Sequence, residues 1–280
     1  MEAKPSDDGA RPFSSLAEAA QAVVRAHDPE DKMRLAKLAG DGWRQRRLSR
    51  GSRAGLSKMP ERPGRPEKPE LLSPRSMPKR SAKGARGRFA LLHSLAHIEL
   101  NAIDLTWDLI ARFFDAPMPG SFLDDWVHVG LDEARHFGLL ARRLEALGGA
   151  YGDLPAHDGL WEAAQETGHC LRARLAIVPL VLEARGLDVA PSMMAKAEAA
   201  GDHESAEILS VIYHDEKRHV AYGAKWFRYV CAREGIPPEP EFQHLVRKHF
   251  KGSLKPPFND KARSEAGLSP GFYKPLAALV

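Results

Sequence analysis

The pattern Asp-Glu-x-Arg-His occurs twice in this chain, each time inside an apolar stretch with the period of a helix. The first copy lies in HVGLDEARHFGLL, residues 128–140, and the second in VIYHDEKRHVAYG, residues 211–223. The 280 residues include 20 Glu and 12 His. A lone Glu-x-x-His is therefore expected about once by chance, but two copies of the full pattern are not. The repeat indicates two helices that each present an acid and a histidine on an interior face.

Four long helices are predicted between residues 86 and 234, where apolar side chains recur at i, i+3 and i+4. Their expected bounds are about 87–114, 121–147, 159–185 and 202–234. A short helix is expected near 191–200. The chain is thus predicted to be all-α, with a bundle of four long helices at its centre.

The third long helix contains two residues that disturb helices. Pro179 cannot donate to the Leu175 carbonyl, so we expect a kink one turn before Glu183. Such a kink either opens a path for substrate or dioxygen or is a packing adjustment. Gly186 is expected to end the helix as a C′ residue.

Ionisable side chains interrupt the apolar stripe of each long helix. A buried carboxylate without a partner costs on the order of several kcal/mol, and a metal ion would supply that partner. A Glu-x-x-His motif places both side chains on neighbouring rows of one helix face, so both can reach the same ion. Ferritin-like di-metal bundles combine two such motifs with one Glu from each of two other helices. The residues predicted as metal ligands on this pattern are Glu99, Glu133, His136, Glu183, Glu216 and His219.

The spacing of these residues repeats along the chain. Glu99 and Glu133 are 34 residues apart, and Glu183 and Glu216 are 33 residues apart. The sequence therefore predicts two helix hairpins, each with a Glu followed by Asp-Glu-x-Arg-His, joined by a longer crossover. Ferritin-like four-helix bundles have this topology.

The other polar residues of the repeat are assigned to the surroundings of the site. A metal-bound histidine usually gives its second N–H to a carboxylate or a carbonyl. Asp132 and Asp215 are expected to accept these protons across the bundle, and Arg135 and Arg218 to neutralise the two acids. For either copy alone, a surface charge cluster is the competing interpretation, but two copies with two further glutamates disfavour it.

On these residues the chain resembles the ferritin-like superfamily of dinuclear carboxylate proteins, and within it the bacterial family catalogued as domain of unknown function 455. The matching phrases include LLHSLAHIELNAIDL, FLDDWVHVGLDEARHFGLL, LAIVPLVLEARGLDV and ILSVIYHDEKRHVAYGAKWF, which cover most of residues 90–230. The tail KPPFNDKARSEAGLSP is similar as well. The resemblance implies a ferritin-like bundle with a site for iron or manganese at the six residues above. It implies no established reaction.

The chain divides into four predicted parts. Ser15 and Glu18 have the spacing of a capping box, and Asp28 precedes a proline suited to the first position of a helix. The parts are an N-terminal helical extension (1–50), a basic linker rich in Pro and Gly (51–85), the di-metal four-helix bundle (86–234) and a C-terminal extension (235–280). The last part either covers the bundle or reaches a neighbouring subunit.

A strongly basic segment lies behind the modest net charge of +4. Residues 44–88 hold 15 Lys and Arg against 3 Glu, a local balance of +12. The segment either binds phosphates, including those of RNA, or packs as a solvated arm across the acidic bundle. It contains almost no aromatic side chains for base stacking, which favours the packed arm.

The cellular location of the protein is predicted from the length of its apolar runs and from its N-terminal residues. The longest of them, such as LAIVPLVL at 175–182, fall short of the 18 or more residues of a membrane span. The polar N-terminus does not have the pattern of a signal peptide. We therefore expect a cytoplasmic protein without a membrane partner, and the sequence leaves monomer and homodimer open.

The predicted function is redox chemistry at two metal ions, iron or else manganese. We expect the protein to use dioxygen or peroxide to oxidise an unknown substrate, either a small molecule or a modified RNA base. Manganese would favour disproportionation of peroxide. Three alternatives stay open: an iron-handling protein, a metal-stabilised scaffold, and a nucleic-acid-binding protein without turnover. No catalytic side chain beyond the metal ligands is assigned.

Two further pairs of side chains near the predicted site have less specific assignments. His97 lies about 200° from Glu99 around its helix, so His93 and His97 are expected to be structural or to support the site from outside. Tyr213 and Trp226 share the metal-side stripe of the fourth helix. Core packing is favoured for both over a redox or pocket-lining role.

Overall fold

The computed structural model describes residues 13–54, 56–73, 76–78 and 84–277. Over these residues the protein is all-helical, which confirms the predicted fold class. None of the described helices combines the length and the hydropathy that crossing a bilayer requires. The α-helices are α1 (Leu16–Arg25), α2 (Pro29–Arg44), α3 (Gly84–Phe113), α4 (Gly120–Ala146), α5 (Gly159–Glu166), α6 (Leu171–Ile177), α7 (Ala184–Ala199), α8 (His203–Glu234), α9 (Pro238–His249), α10 (Asp260–Glu265) and α11 (Pro270–Tyr273). A π-helical segment, Val178–Glu183, joins α6 to α7.

Three of the four long helices, α3, α4 and α8, begin and end within three residues of their predicted bounds. Gly148 follows α4 with φ of 82°, and Gly235 follows α8 with φ of 67°. Both lie in the left-handed region, which glycine adopts without the steric cost that other residues carry. The glycines therefore explain why α4 and α8 end where they do.

The third predicted helix, 159–185, is wrong at both ends. Residues 159–166 form the separate helix α5, whereas the helix that contains Glu183 starts at Leu171 and continues to Ala199 through α6, the π segment and α7. Gly186 lies inside α7, and the short helix expected near 191–200 is the final part of α7. The helix continues because the wider turn of the π segment accommodates Pro179, which lacks an N–H.

The helices that carry the predicted ligands pack side by side. α3 lies against α4, α4 against α8, and α8 against α6, the π segment and α7. Their shared interior contains large side chains that are fully buried, among them Trp107, Trp126 and Phe227. Side chains from four helical segments thus meet in one interior.

The N-terminal helices belong to the same hydrophobic core, which extends from α1 to α11. The Ser15 hydroxyl accepts the Glu18 N–H at 3.2 Å, and the Asp28 carboxylate accepts the Glu30 N–H at 2.8 Å. Both caps were predicted, and each satisfies a backbone donor at a helix start. α1 packs on α3, and α2 packs on α4.

The basic segment lies on the bundle and its arginines pair with bundle acids. Arg53 binds Asp115 at 2.7 Å, and Arg65 binds Asp104 at 2.5 Å. The further pairs are Arg46–Asp124, Arg62–Asp158 and Arg88–Asp202. These contacts agree with the packed-arm interpretation for the described part of the segment. The cations Arg75, Lys79, Arg80 and Lys83 lie outside the described residues.

The C-terminal extension folds back over the bundle. α9 packs on α6 and α8, and α10 packs on α7 and α8. The buried Arg263 of α10 donates Nε and Nη2 to the Asp188 carboxylate of α7 at 2.8 and 2.7 Å. Asp188 also accepts the Asn259 N–H at 2.9 Å. This pairing fixes the segment 250–259, which precedes α10, beside α7.

Candidate metal centre

All six predicted ligands meet in the interior of the bundle. Glu99 comes from α3, Glu133 and His136 from α4, Glu183 from the π segment, and Glu216 and His219 from α8. Their ligand atoms form two adjoining groups in which every atom lies within 4.8 Å of the others. The groups are Glu99, Glu133, His136 and Glu216, and Glu183, Glu216 and His219. Because Glu216 belongs to both groups, the two are parts of one site.

The two histidines face each other across this site, with ring centroids 5.9 Å apart. His136 Nδ1 lies 3.2 Å from Glu99 Oε2 and 3.4 Å from Glu133 Oε2. His219 Nδ1 lies 3.0 Å from Glu133 Oε1 and 3.6 Å from Glu216 Oε1. Each histidine therefore directs Nδ1 inward, and the two oxygens of Glu133 lie between the rings.

Several of these buried polar atoms have no hydrogen-bond partner within the described residues. Both carboxylate oxygens of Glu133 and of Glu183, Glu216 Oε2 and His219 Nδ1 are in this state. Buried polar groups in folded proteins are nearly always hydrogen-bonded, and exceptions mark functional sites or bound ions. Other buried atoms of the described residues are unpaired as well, but these six lie together in one cluster, where His219 Nδ1 approaches Glu133 Oε1 to 3.0 Å. Carboxylate and imidazole donors in this number fit Fe or Mn, so the residues present suit a metal.

Without a metal, some of the buried glutamates must be protonated, because protons then offset part of the negative charge of the site. Burial raises the pKa of Glu99 to about 8, and burial together with the charges of Glu216 and Glu133 raises that of Glu183 well above its usual value. Burial also opposes ionisation of Glu133, but His219 and His136 outweigh it and hold its pKa below the usual range. Cations compete with protons for such ligands, so metal binding should release protons.

The outer nitrogens of the histidines bind the aspartates of the opposite repeat. His136 Nε2 of α4 lies 3.0 Å from Asp215 of α8, and His219 Nε2 of α8 lies 3.2 Å from Asp132 of α4. The sequence predicted this crossed arrangement. The carboxylates fix the ring orientation and leave Nδ1 of each histidine for the site.

Two arginines link the aspartates into a ring. Arg218 donates to Asp132 at 2.7 Å and to Asp215 at 2.7 Å. Arg135 donates to both acids as well. Each arginine therefore contacts the aspartate of its own repeat and that of the other. The four residues close the solvent side of the site, and the shared arginines tie α4 to α8.

An Asp215→Asn variant is expected to bind metal about 10-fold to 100-fold more weakly than the wild type, because a residue that orients a ligand histidine typically contributes this much. The amide can no longer accept strongly from His136 Nε2. Competition with a chelator of known affinity measures the change. Asp125→Asn is the matched control, since Asp125 also bridges α4 and α8, to Lys225 and Trp226, but does not contact the site. Equal weakening in both variants would contradict the role of Asp215.

The π segment determines how Glu183 reaches the site. It packs against α8 at Gly223, where a Cβ atom in place of the glycine hydrogen would lie 2.5 Å from Pro179 Cβ. Any larger residue at Gly223 would therefore push the π segment away from α8. Pro179 thus affects the site by placing Glu183 in a widened turn beside α8.

A cavity of about 950 Å³ adjoins the ligand cluster. Three of the six ligands, Glu99, Glu183 and Glu216, are among its lining residues. The remainder comes mostly from apolar side chains of α3, α7 and α8 and from the segment 250–258 of the C-terminal extension. Three of the four ligand carboxylates therefore border the cavity, whereas no residue of the arginine ring is part of its lining.

The other candidate residues lie outside the ligand cluster, as predicted. His97 contacts Tyr151 Oη at 2.9 Å and the His157 carbonyl at 3.0 Å, and burial lowers the pKa of its ring to about 4. Tyr213 lines the cavity and accepts from the Asn259 side chain at 3.3 Å, so the core packing favoured for it is wrong and the pocket-lining alternative is right. Trp226 donates to Asp125 at 2.9 Å and packs in the core.

Sequence reasoning missed two features near the site. One is the cavity wall formed by the segment 250–258, which carries no periodic apolar signal. The other is a set of buried ion pairs on α3, in which Asp104 binds Lys32 at 2.6 Å and Asp108 binds Arg174 at 2.6 Å. Both acids interrupt the apolar stripe of α3 as Glu99 does, so the same signal was available for them.

Comparison with known proteins gives two matches and one negative result. The family model described as "Protein of unknown function (DUF455)" matches residues 25–274. An uncharacterized protein from Haemophilus influenzae is 40% identical over 204 residues, which cover 71% of this chain and 71% of that protein. No solved structure matches the chain at a significant level.

Proposed function

The chain belongs to the DUF455 family, and on that premise we propose that its buried cluster is a di-metal centre of the ferritin-like type that oxidises a substrate with dioxygen or peroxide. The observation that carries the proposal is the set of buried, unpaired carboxylate oxygens of Glu133, Glu183 and Glu216, which three helical segments contribute around two inward-facing histidines. A purely structural polar network would leave few such atoms without partners.

The charges of the ligand set support two divalent ions. The four glutamates balance two divalent cations when all four are ionised. Glu133 contacts both histidines, and Glu216 belongs to both ligand groups, so these two residues suit ligands shared between the ions. Two Fe(II) ions bound here would supply electrons for reduction of the oxidant, and Mn(II) is compatible with the same ligands.

The protein's own residues would hold and orient these ions. Asp132 and Asp215 fix the histidine rings through Nε2, and the arginine ring neutralises the two aspartates. The apolar residues around the cavity limit water beside the carboxylates. Glu99, Glu183 and Glu216 face that cavity and would be the ligands nearest to a bound substrate.

The cavity favours an enzyme over the alternative functions. A scaffold does not need a large apolar cavity at its metal ligands, and neither does an iron-storage site. Five of the nine described arginines of the basic segment pair with bundle acids, which weakens the case for RNA binding through that segment. A small-molecule substrate therefore fits the described residues better than a nucleic acid.

Reaction with an oxidant tests the proposal. Protein loaded anaerobically with about two Fe(II) per chain is expected to consume dioxygen or peroxide rapidly and to show a new near-ultraviolet absorption. An oxygen electrode and stopped-flow spectroscopy measure both changes, with Fe(II) in buffer as the control. Protein that binds Fe(II) or Mn(II) but reacts with neither oxidant would contradict the redox function.

Addition of a large excess of Fe(II) separates the proposed enzyme from an iron-storage protein. In the proposed enzyme, rapid oxidation stops once the two sites per chain have reacted. In a storage protein, it continues until the excess iron is consumed and retained. Retention of many ions per chain after gel filtration would therefore favour iron handling over the proposal.

A further inference from the structure

We propose that the cavity beside the ligand cluster binds an elongated apolar molecule that ends in an anionic group, with the apolar end against the metal ligands and the anionic end at Lys251 and Lys255. The inference rests on the proposed function and deepens it, because it names the substrate class of the same site.

The dimensions of the cavity fit an elongated ligand. Its volume of about 950 Å³ is at the upper end of the range for small-molecule pockets. On α3 its lining extends from Leu95 to Leu105. These ten helical steps correspond to about 15 Å along the helix axis. A compact polar metabolite would leave much of this length unfilled.

The walls of the cavity are mainly apolar. α3, the π segment with α7, and α8 contribute aliphatic side chains, and the C-terminal extension adds Phe250, Leu254 and Phe258. Burying an apolar chain against these walls stabilises the complex by roughly 25 cal/mol for each Å² removed from water. The apolar part of the ligand therefore supplies most of the affinity.

Two exposed cations of the cavity lining lie on the segment 250–258 of the C-terminal extension. Lys251 and Lys255 are exposed and form no ion pair with any described residue, although both line the cavity. The other lining cations differ, because Arg263 is buried in its pair with Asp188 and Arg185 lies 3.4 Å from the same carboxylate. The two lysines are thus available to bind an anion from outside the chain.

The charge distribution also sets the orientation of the ligand. Of the lining residues, Glu99 and Glu216 are buried and Glu183 is half-buried, whereas Lys251 and Lys255 are exposed. None of the three carboxyl groups carries a positive charge, and in the metal-bound protein the four glutamates offset the charge of two divalent ions. The anionic group is therefore favoured at the lysines, where it also remains close to solvent.

Binding of simple amphiphiles tests this inference on the full-length protein as purified, and again after treatment with a chelator. The probes are dodecanoate, dodecyl phosphate and the neutral dodecanol, titrated below their aggregation limits by calorimetry. We expect both anions to bind at least about tenfold more tightly than dodecanol, and the difference to shrink with salt. Preference for one of the two anions identifies carboxylate or phosphate as the group recognised.

A charge-reversed pair of variants separates the lysines from general electrostatics. Lys251→Glu/Lys255→Glu should weaken binding of the anions by about tenfold or more and leave dodecanol nearly unchanged. The matched control is Lys196→Glu/Lys248→Glu, which changes the net charge equally at exposed lysines outside the cavity lining. Equal effects of the two double variants would overturn the role of Lys251 and Lys255.

An apolar block tests the cavity itself. Ala190 lines it from α7, so Ala190→Trp should weaken binding of all three probes, and circular dichroism confirms that the variant is folded. Failure of all probes to bind the wild type would overturn the inference even if the iron-loaded protein consumes dioxygen. Probe binding with the predicted pattern in a protein that reacts with no oxidant would instead support the cavity and contradict the redox function.

Discussion

The Glu133→Ala/Glu216→Ala double variant is expected to contain almost no metal, whereas the wild type purified without chelators contains about two ions per chain. Glu133 lies within 3.4 Å of both histidine rings, and Glu216 belongs to both ligand groups. Removal of these two residues therefore affects both ions at once. Mass spectrometry of the metal content, normalised to protein concentration, measures the loss and identifies the metal.

Two exposed glutamates provide the matched control for this variant. Glu145 of α4 and Glu207 of α8 lie on the same two helices but outside the site, so Glu145→Ala/Glu207→Ala should keep the full metal content. Metal should also raise the melting temperature of the wild type and of the control, because an ion that binds only the folded state stabilises it. Wild-type protein that contains no metal and is not stabilised by added Fe(II) or Mn(II) would contradict the di-metal site.

The convergence of the six predicted ligands was accessible from sequence because five of them lie on regular α-helices. On such a helix, spacing alone determines which side chains share a face. The two copies of Asp-Glu-x-Arg-His placed Glu133 and His136 on α4 and Glu216 and His219 on α8, together with the crossed aspartates. The bounds of α3, α4 and α8 followed from the same periodicity.

The helix that carries Glu183 shows where periodicity fails. A π turn contains more residues than an α turn, so the face that follows it is rotated relative to the α-helical pattern. Pro179 indicated a local disturbance of the helix. A kink, the end of the helix and a π segment can each accommodate a residue without an N–H. The choice depends on packing against α8 at Gly223, which is a tertiary contact.

The cavity and the partners in the buried ion pairs could not be predicted from the sequence for a related reason. Asp104 and Asp108 could be recognised as interior acids on α3, but their partners Lys32 and Arg174 come from distant helices. The sequence indicates that a buried charge needs a partner, but it does not indicate which residue provides that partner. In the same way, nothing local to the segment 250–258 indicates that it forms a wall of the cavity.

Asp104→Ala is expected to lower the free energy of unfolding of the protein by about 3–5 kcal/mol, because removal of one partner leaves a buried charge uncompensated. Asp104 is fully buried and binds Lys32 at 2.6 Å and Arg65 at 2.5 Å. Burial lowers the pKa of Lys32, and Asp104 opposes that shift. The ammonium group would retain only the carbonyls of Val23 and Val24. Chemical denaturation in the absence of metal measures the loss.

A second substitution distinguishes the unpaired charge from other effects of the alanine. In Asp104→Ala/Lys32→Met the buried ammonium is gone, so a substantial part of the lost stability should return, as coupling between contacting residues requires. Asp41→Ala is the control, because Asp41 forms an exposed pair with Lys37 whose removal should cost less than about 1 kcal/mol. If Asp104→Ala costs no more than this control, the N-terminal helices are held on α3 by apolar packing alone. If it costs several times more and Lys32→Met reverses part of the loss, the ion pair joins the N-terminal extension to the helix that carries Glu99.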